Sequence, residues 1–206
     1  RGFGETDRRI GDPELDEPDY DVGFAFGRFW LDRLNSANFP TAGSEVFLEY
    51  RAHRPGLGDD EDFDQFILDV SQAFSWGRYT LRPGLSLRRT VSGTAPFYAL
   101  ARGGGLFNLS GYETNQFAGE NLALGRVIAY RRMGDIRLAP VYFGGSLEYG
   151  DVSDDTPDIE DYRGAGSLFL GMDSFVGPLY LAVGFAEGGD KSAYLYLGQP
   201  SSAVNR

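Results

Sequence analysis

The sequence predicts an all-β protein, specifically an antiparallel transmembrane β-barrel. Apolar and polar residues alternate with period two over stretches of a dozen or more residues. The connections between those stretches alternate between tight and long, placing short turns on one rim and long loops on the other. No apolar run approaches the ~20 residues that a membrane-spanning helix needs.

Each predicted strand rests on its own alternation. Residues 79–91 put Tyr79, Leu81, Pro83, Leu85, Leu87 and Val91 on one face, broken by Arg89, against Thr80, Arg82, Gly84, Ser86, Arg88 and Thr90. In 45–52 the split is Val46, Leu48, Tyr50 and Ala52 against Glu45, Phe47, Glu49 and Arg51. In 63–76, Phe66, Leu68, Val70, Phe74 and Trp76 oppose Gln65, Asp69, Ser71 and Ser75. Residues 179–186 set Leu179, Leu181, Val183 and Phe185 against Tyr180, Ala182, Gly184 and Ala186, a large-against-small contrast expected where the inner side is crowded. Alternation is noisier in 20–34 and 120–133. The predicted strands are 20–34, 43–54, 62–76, 78–92, 120–133, 136–149, 164–174, 177–187 and 191–198.

Tight turns are expected at Gly77-Arg78, Gly134-Asp135 and Phe175 to Gly177, and long loops at 55–61, 93–119 and 150–163. With the long loops outside, the first and last strands both run inward, so about nine strands are expected here, whereas a complete bacterial barrel normally has an even number. The chain starts at Arg1 without Met or signal peptide. Together these features predict a piece of a larger barrel lacking strands on its amino-terminal side. The expected organisation is a polar loop or tail over 1–19, a partial barrel domain over 20–200 with a lumen-directed loop at 93–119, and a tail over 201–206.

Composition agrees. Glycine (29 residues) and the aromatics (16 Phe, 12 Tyr, 2 Trp) are abundant, and Lys191 is the only lysine, a mixture suited to close strand approach and aromatic girdles. A net charge of −11, with acids in runs such as Asp59-Asp60-Glu61-Asp62, argues against a nucleic-acid partner. No cysteine is present to form a disulfide or thiolate metal site.

Three blocks carry a family resemblance: Gly103-Gly104-Gly105-Leu106-Phe107-Asn108-Leu109-Ser110-Gly111-Tyr112 with Phe117 to Gly119 and Ile128 to Arg132; Gly144 to Glu148 with Gly150; and Gly177 to Leu181, Ala186 to Gly189 and Tyr194 to Gly198. Across roughly residues 20 to 200 the chain resembles the outer-membrane assembly and secretion barrels, also called bacterial surface antigen barrels. It is more similar to the barrels that follow patatin-like phospholipase domains. The resemblance implies a barrel of about sixteen strands in which the long loop folds back into the lumen. Its motif would be Gly104, Gly105, Leu109, Ser110, Gly111 and Tyr112, with Glu148 as the partner of the tip. Where the superfamily carries Arg at the tip, this chain has Ser110, expected to offer one neutral hydrogen bond in place of a bidentate ionic contact. After Pro200 the chain continues Ser-Ser-Ala-Val-Asn-Arg, without the closing aromatic residue that often ends these barrels.

The resemblance further implies a location in the bacterial outer membrane. Its implied partners are outer-membrane lipid, an upstream lipase or periplasmic domains of the same parent chain, and a second copy in a homodimer. The leading expectation is a barrel that anchors or translocates an associated patatin-like lipase. One alternative is a polypeptide transporter or insertase, and another is a soluble ligand-binding barrel.

This segment is not expected to be an enzyme. No Gly-x-Ser-x-Gly elbow occurs, and Gly43-Ser44-Glu45, Gly145-Ser146-Leu147 and Gly166-Ser167-Leu168 lack its spacing, so a lipase active site would lie upstream of Arg1. No metal or cofactor is expected. His53 has no second His or Cys and reads as a polar strand-end residue. The run Asp151, Asp154, Asp155, Asp158, Glu160 and Asp161 lacks a calcium-loop spacing and reads as a solvated loop. Gly103-Gly104-Gly105 lacks the following Lys-Ser/Thr of a phosphate loop. Glu45, Glu49, Arg51, Asp69, Arg82 and Arg88 are expected to line a hydrated lumen, and Trp30, Trp76, Tyr79, Tyr130, Tyr142, Phe143 and Tyr180 to anchor the membrane interfaces.

Overall fold

The computed structural model describes residues 2–5, 19–136, 139–155 and 161–200. Nine strands form one antiparallel sheet: β3 (Phe24–Asp32), β4 (Gly43–His53), β5 (Phe63–Trp76), β6 (Tyr79–Ser92), β9 (Asn121–Ile136), β10 (Ala139–Ser153), β11 (Arg163–Ser174), β12 (Gly177–Ala186) and β13 (Lys191–Leu197). Their order is that of the chain, β3-β4-β5-β6-β9-β10-β11-β12-β13, a pure meander. Two small sheets accompany it. One pairs β1 (Gly2–Glu5) with β2 (Asp19–Val22), and the other pairs β7 (Ala101–Gly103) with β8 (Phe117–Gly119) inside the long loop.

Three predicted boundaries move. Part of the expected tail over 1–19 is strand, since Gly2–Glu5 pairs with Asp19–Val22; residues 6–18, like the expected tail at 201–206, lie outside the described residues. Gly134 and Asp135 do not form a turn but pair with Val141 and Pro140, so the connection falls three residues later. The cause is an extra residue in β9: the register passes from Val141↔Gly134 to Tyr142↔Arg132, leaving Met133 as a bulge. An Arg132–Asp135 ion pair at 2.7 Å braces this end. The loop read as 150–163 is also shorter, because β10 continues to Ser153.

The two faces have opposite character. Leu147, Leu168, Leu170, Leu181, Leu195 and Leu197 are exposed on one face, together with Phe74, Trp76, Tyr79 and Phe143. Ion pairs and aromatic clusters fill the other. Glu49, fully buried, accepts from both Arg28 and Arg51. Asp69 accepts from Ser86 at 2.6 Å and Arg126 at 3.3 Å, Arg82 donates to Ser71 at 3.1 Å, and Arg88 donates to Gln65 at 3.1 Å. Buried charges of this kind persist because each finds a partner. Glu45, also inward, is 3.7 Å from Arg82.

That inner face is curved enough for distant elements to meet across it. Phe39, between β3 and β4, stacks on Tyr142 of β10 with ring centroids 4.3 Å apart, and Asn38 donates to Asp173 of β11 at 2.7 Å. Tyr130, Tyr142 and Tyr180, expected at the membrane interface, belong instead to this inner cluster, at 6%, 7% and 3% exposure. The aromatic-rich composition misled there: large rings sit on both sides of these strands, and the inner ones fill space between loops. Among the described residues no ladder joins the outermost strands β3 and β13.

Candidate functional site at the infolded loop

The 93–119 loop lies on the concave face, and its backbone is unusual. Positive φ recurs at Gly104, Gly105, Phe107, Leu109 and Gly111, two of them non-glycine residues. L-residues avoid this region, so the shape persists only where surroundings impose it. Gly104 is held from within the loop: its N–H donates to the Asn108 carbonyl at 2.7 Å, and a Cβ there would lie 2.1 Å from the Glu113 carbonyl oxygen. Asn108 donates to the Arg102 carbonyl at 3.1 Å, tying the glycine run to the β7–β8 hairpin.

The tip is held from without. Ser110 contributes two donors to one carboxylate, its N–H to Glu148 Oε2 at 2.6 Å and its Oγ to Oε1 at 2.7 Å. The Ser110 hydroxyl also accepts from the Phe107 N–H at 3.0 Å, which fixes its rotor toward Glu148. Ser146 donates to the same Oε1 and meets Ser167 Oγ at 2.6 Å. Ser110 and Glu148 are both buried. The one neutral hydrogen bond expected of the Ser110 side chain is made through Oγ, and the backbone N–H adds a second that the residue type does not announce. With Leu109 at φ 67°, the Ser110 N–H and Oγ act as a fork, so a serine supplies two donors where an arginine would supply two of its own.

Beyond Ser110 the tip rests on the last two strands. Gly111 N–H donates to the Tyr194 hydroxyl at 3.0 Å, which itself donates to the Tyr112 carbonyl at 2.9 Å. Ser192 donates to the Gly111 carbonyl at 2.9 Å, and the Tyr112 hydroxyl donates to the Glu187 carbonyl at 3.1 Å. Gly111 lies directly over Gly184. A Cβ on Gly184 would stand 2.3 Å from Gly111 N, and one on Gly111 would stand 2.4 Å from the Phe185 carbonyl carbon. The crowding inferred from the small inner residues of β12 is the loop tip itself. Leu109 and Tyr112 complete the contact in an apolar cluster with Ala101, Leu122, Leu124 and Val152.

Of the motif residues named from sequence, Leu109, Ser110, Gly111 and Tyr112 thus meet β10, β12 and β13, whereas Gly104 and Gly105 bond within the loop itself. Sequence reading missed the other half of the site: Tyr194, Ser192, Ser146, Ser167 and Arg126, whose guanidinium donates to the Phe107 carbonyl at 3.2 Å. For Gly184 the signal was present as a small residue among large ones. Tyr194 and Ser146 fall within the blocks that carry the resemblance, which attaches no role to them, and for Ser167 and Ser192 no pattern separates them from other inward residues.

The remaining candidates have ordinary roles. His53 ends β4, with Nδ1 2.7 Å from Asp59 Oδ2 and its ring between Phe24 and Phe63 at 4.8 and 4.0 Å. Burial tends to raise the Asp59 carboxyl, but hydrogen bonds from Glu61 N–H, His53 and Gly23 N–H outweigh it and hold the group below its ordinary value. Burial, followed by the Asp59 carboxylate, pushes the nearby Tyr98 phenol up. Asp151 pairs with Arg163, while Asp158 and Glu160 lie outside the described residues. Among the described residues no group of three potential metal ligands forms.

Fold and loop together define a class: a nine-stranded antiparallel meander that carries the long 93–119 loop on its concave face. Among the solved structures it is similar to is the crystal structure of BamA from Haemophilus ducreyi lacking POTRA domains 1–3, with a TM-score of 0.72 at 17% identity. The match covers 91% of this chain and 44% of the BamA chain, so this chain spans less than half of that protein's length. No family model and no curated protein matches the sequence.

Proposed function

We propose that this chain is a membrane-embedded barrel domain of the bacterial outer membrane, and that it anchors or translocates an associated patatin-like lipase without taking part in its chemistry. One observation carries the membrane reading: the polarity of the sheet is inverted relative to a soluble protein. Leu147 is 74% exposed on the convex face at mid-strand, while Glu49, Asp69 and Glu148 are buried on the concave face. Water disfavours that arrangement and hydrocarbon favours it. The lipase reading rests on the Leu109-Ser110-Gly111 form of the tip and on its two-donor contact with Glu148.

Cell fractionation tests the membrane part. The protein is expected in the outer-membrane pellet, resistant to urea extraction; a protein dispersed without detergent overturns it. The coding sequence ahead of Arg1 tests the lipase part. A Gly-x-Ser-x-Gly elbow within an α/β pattern supports it, whereas repeated small periplasmic modules favour polypeptide transport. That second reading has its own support in the edges of β3 and β13, which no ladder joins among the described residues, and in the likeness to BamA.

A further inference from the structure

We infer that residues 33–42 form a second plug, entering the concave space from the rim opposite the 93–119 loop. Nothing in the resemblance that suggested the first plug assigns a role to this segment. The inference rests on the barrel reading for its function, but not for its geometry.

The segment joins the end of β3 to the start of β4, so it emerges at the same rim as the tight turns at Gly77-Arg78 and Phe175-Val176. A ten-residue connection there is long for that rim, and it is not a loose excursion. Its base extends the hairpin through Arg33 N–H to the Ser44 carbonyl at 2.9 Å and Asn35 N–H to the Ala42 carbonyl at 3.1 Å. The Asn35 side chain then closes the loop on itself, accepting from Thr41 N–H at 2.9 Å and donating to Thr41 Oγ1 at 2.7 Å. This rigid base projects Ala37 to Pro40 across the sheet.

The far end of that projection is built to receive it. Phe39 is 3% exposed and packs among Tyr130, Tyr142 and Tyr180. Gly171 of β11 makes room: a Cβ there would lie 2.5 Å from Phe39 Cζ. The polar edges are matched as well. Asn38 donates to Asp173, Gln199 donates to the Ala37 carbonyl at 2.9 Å and to Asn38 Oδ1 at 2.8 Å, and Tyr130 donates to the Pro40 carbonyl. A segment between the first two strands of the sheet is thus secured by β9, β10, β11, β12 and Gln199, two residues past β13.

The two plugs meet on one residue. Phe107 of the upper loop lies edge-on to Tyr180 at 5.9 Å, and Phe39 of the lower segment lies 5.1 Å from the same ring. Between them is a cavity of about 630 Å³ that has Arg82, Arg126, Asp69 and Glu45 on its polar wall. The concave space is therefore obstructed from both rims. Displacing the 93–119 loop alone leaves Phe39 in place, because its other contacts to Tyr130 and Tyr142 and the Asn38 and Ala37 hydrogen bonds do not involve that loop.

The absence of native cysteine makes the test direct. In the full chain, an Asn38→Cys/Asp173→Cys pair is expected to crosslink on mild oxidation, shifting electrophoretic mobility. Absence of the crosslink in folded protein, judged by an unchanged protease pattern, overturns the contact. In planar bilayers the full chain is expected to stay closed when the 109–112 tip is replaced by a Gly-Ser linker. It should also stay closed when 36–40 alone is so replaced, and it should conduct when both are. Full conductance from the tip replacement alone overturns the second plug. If the protein does not insert into bilayers at all, the barrel reading fails, while the crosslink still reports on the contact. Should the replacement of 36–40 unfold the chain, Phe39→Ala in the tip-replaced background gives the same readout.

Discussion

Ser110 and Glu148 are joined twice, the backbone N–H of the serine to one carboxylate oxygen and its hydroxyl to the other. The buried charge is thereby met by a donor pair that belongs half to the main chain, and only half of that pair can be removed by mutating Ser110.

Ser110→Ala should consequently be milder than Glu148→Ala. The first leaves the Ser110 N–H and the Ser146 hydroxyl on the carboxylate and frees the Phe107 N–H, whereas the second removes the acceptor of both Ser110 donors and leaves Ser146 with Ser167 alone. Leaving a buried donor unpaired costs about 1–3 kcal/mol, so Glu148→Ala should release the loop to protease at a rate clearly above Ser110→Ala. Equal rates for the two variants would show that the backbone bond contributes nothing.

Gly111→Ala and Gly184→Ala probe one close approach from its two sides. Each introduces a Cβ within about 2.4 Å of backbone and should cost more than ~2 kcal/mol, with Gly111 bearing in addition a φ of 104°. Because they relieve or break the same contact, their effects in a double-mutant cycle should fall well short of additive. Thermal midpoints of the two single variants and the double variant decide the point; strict additivity would separate the two glycines.

Leu147→Arg separates the membrane reading from the soluble one. At the middle of a lipid-facing strand an arginine costs about 2–4 kcal/mol, whereas on a water-facing surface it is near neutral. Folding into lipid vesicles, followed by urea titration, should show the loss. An unchanged midpoint would place Leu147 in water.

Asp59 predicts an acid-side weakness of the 54–62 loop. Its carboxyl is held below the ordinary value in the folded protein, so its contribution is present above the unfolded value of 3.8 and is lost as pH falls through the depressed one. Protease access to the loop should rise only in that acid range, and Asp59→Asn should open the loop at neutral pH and erase the pH dependence.

The strands were legible because period two survives wherever one face is apolar and the other is not. Residues 79–91 show this most clearly, and β6 spans Tyr79–Ser92. Gly134 failed as a turn signal because glycine also tolerates a strand beside a bulge, and the bulge at Met133 leaves no mark in composition. The inner aromatics were misplaced for a different reason. Tyr130, Tyr142 and Tyr180 look like girdle residues until Phe39, more than 90 positions away from Tyr130 along the chain, arrives beside them. At the loop, local sequence announced the glycines and Ser110, but Tyr194 and Ser192 enter through a contact over 80 residues long in sequence, which no short motif encodes.

The left-handed residues of the 104–111 stretch also imply an order of assembly. Phe107 and Leu109 adopt a conformation that an isolated peptide would abandon, at a cost of about 1 kcal/mol or more for each. What retains them is Glu148 on β10, Gly184 on β12 and Tyr194 on β13, so the mould exists only once those strands have paired. The loop is therefore a late event in folding. It takes its shape from a finished sheet.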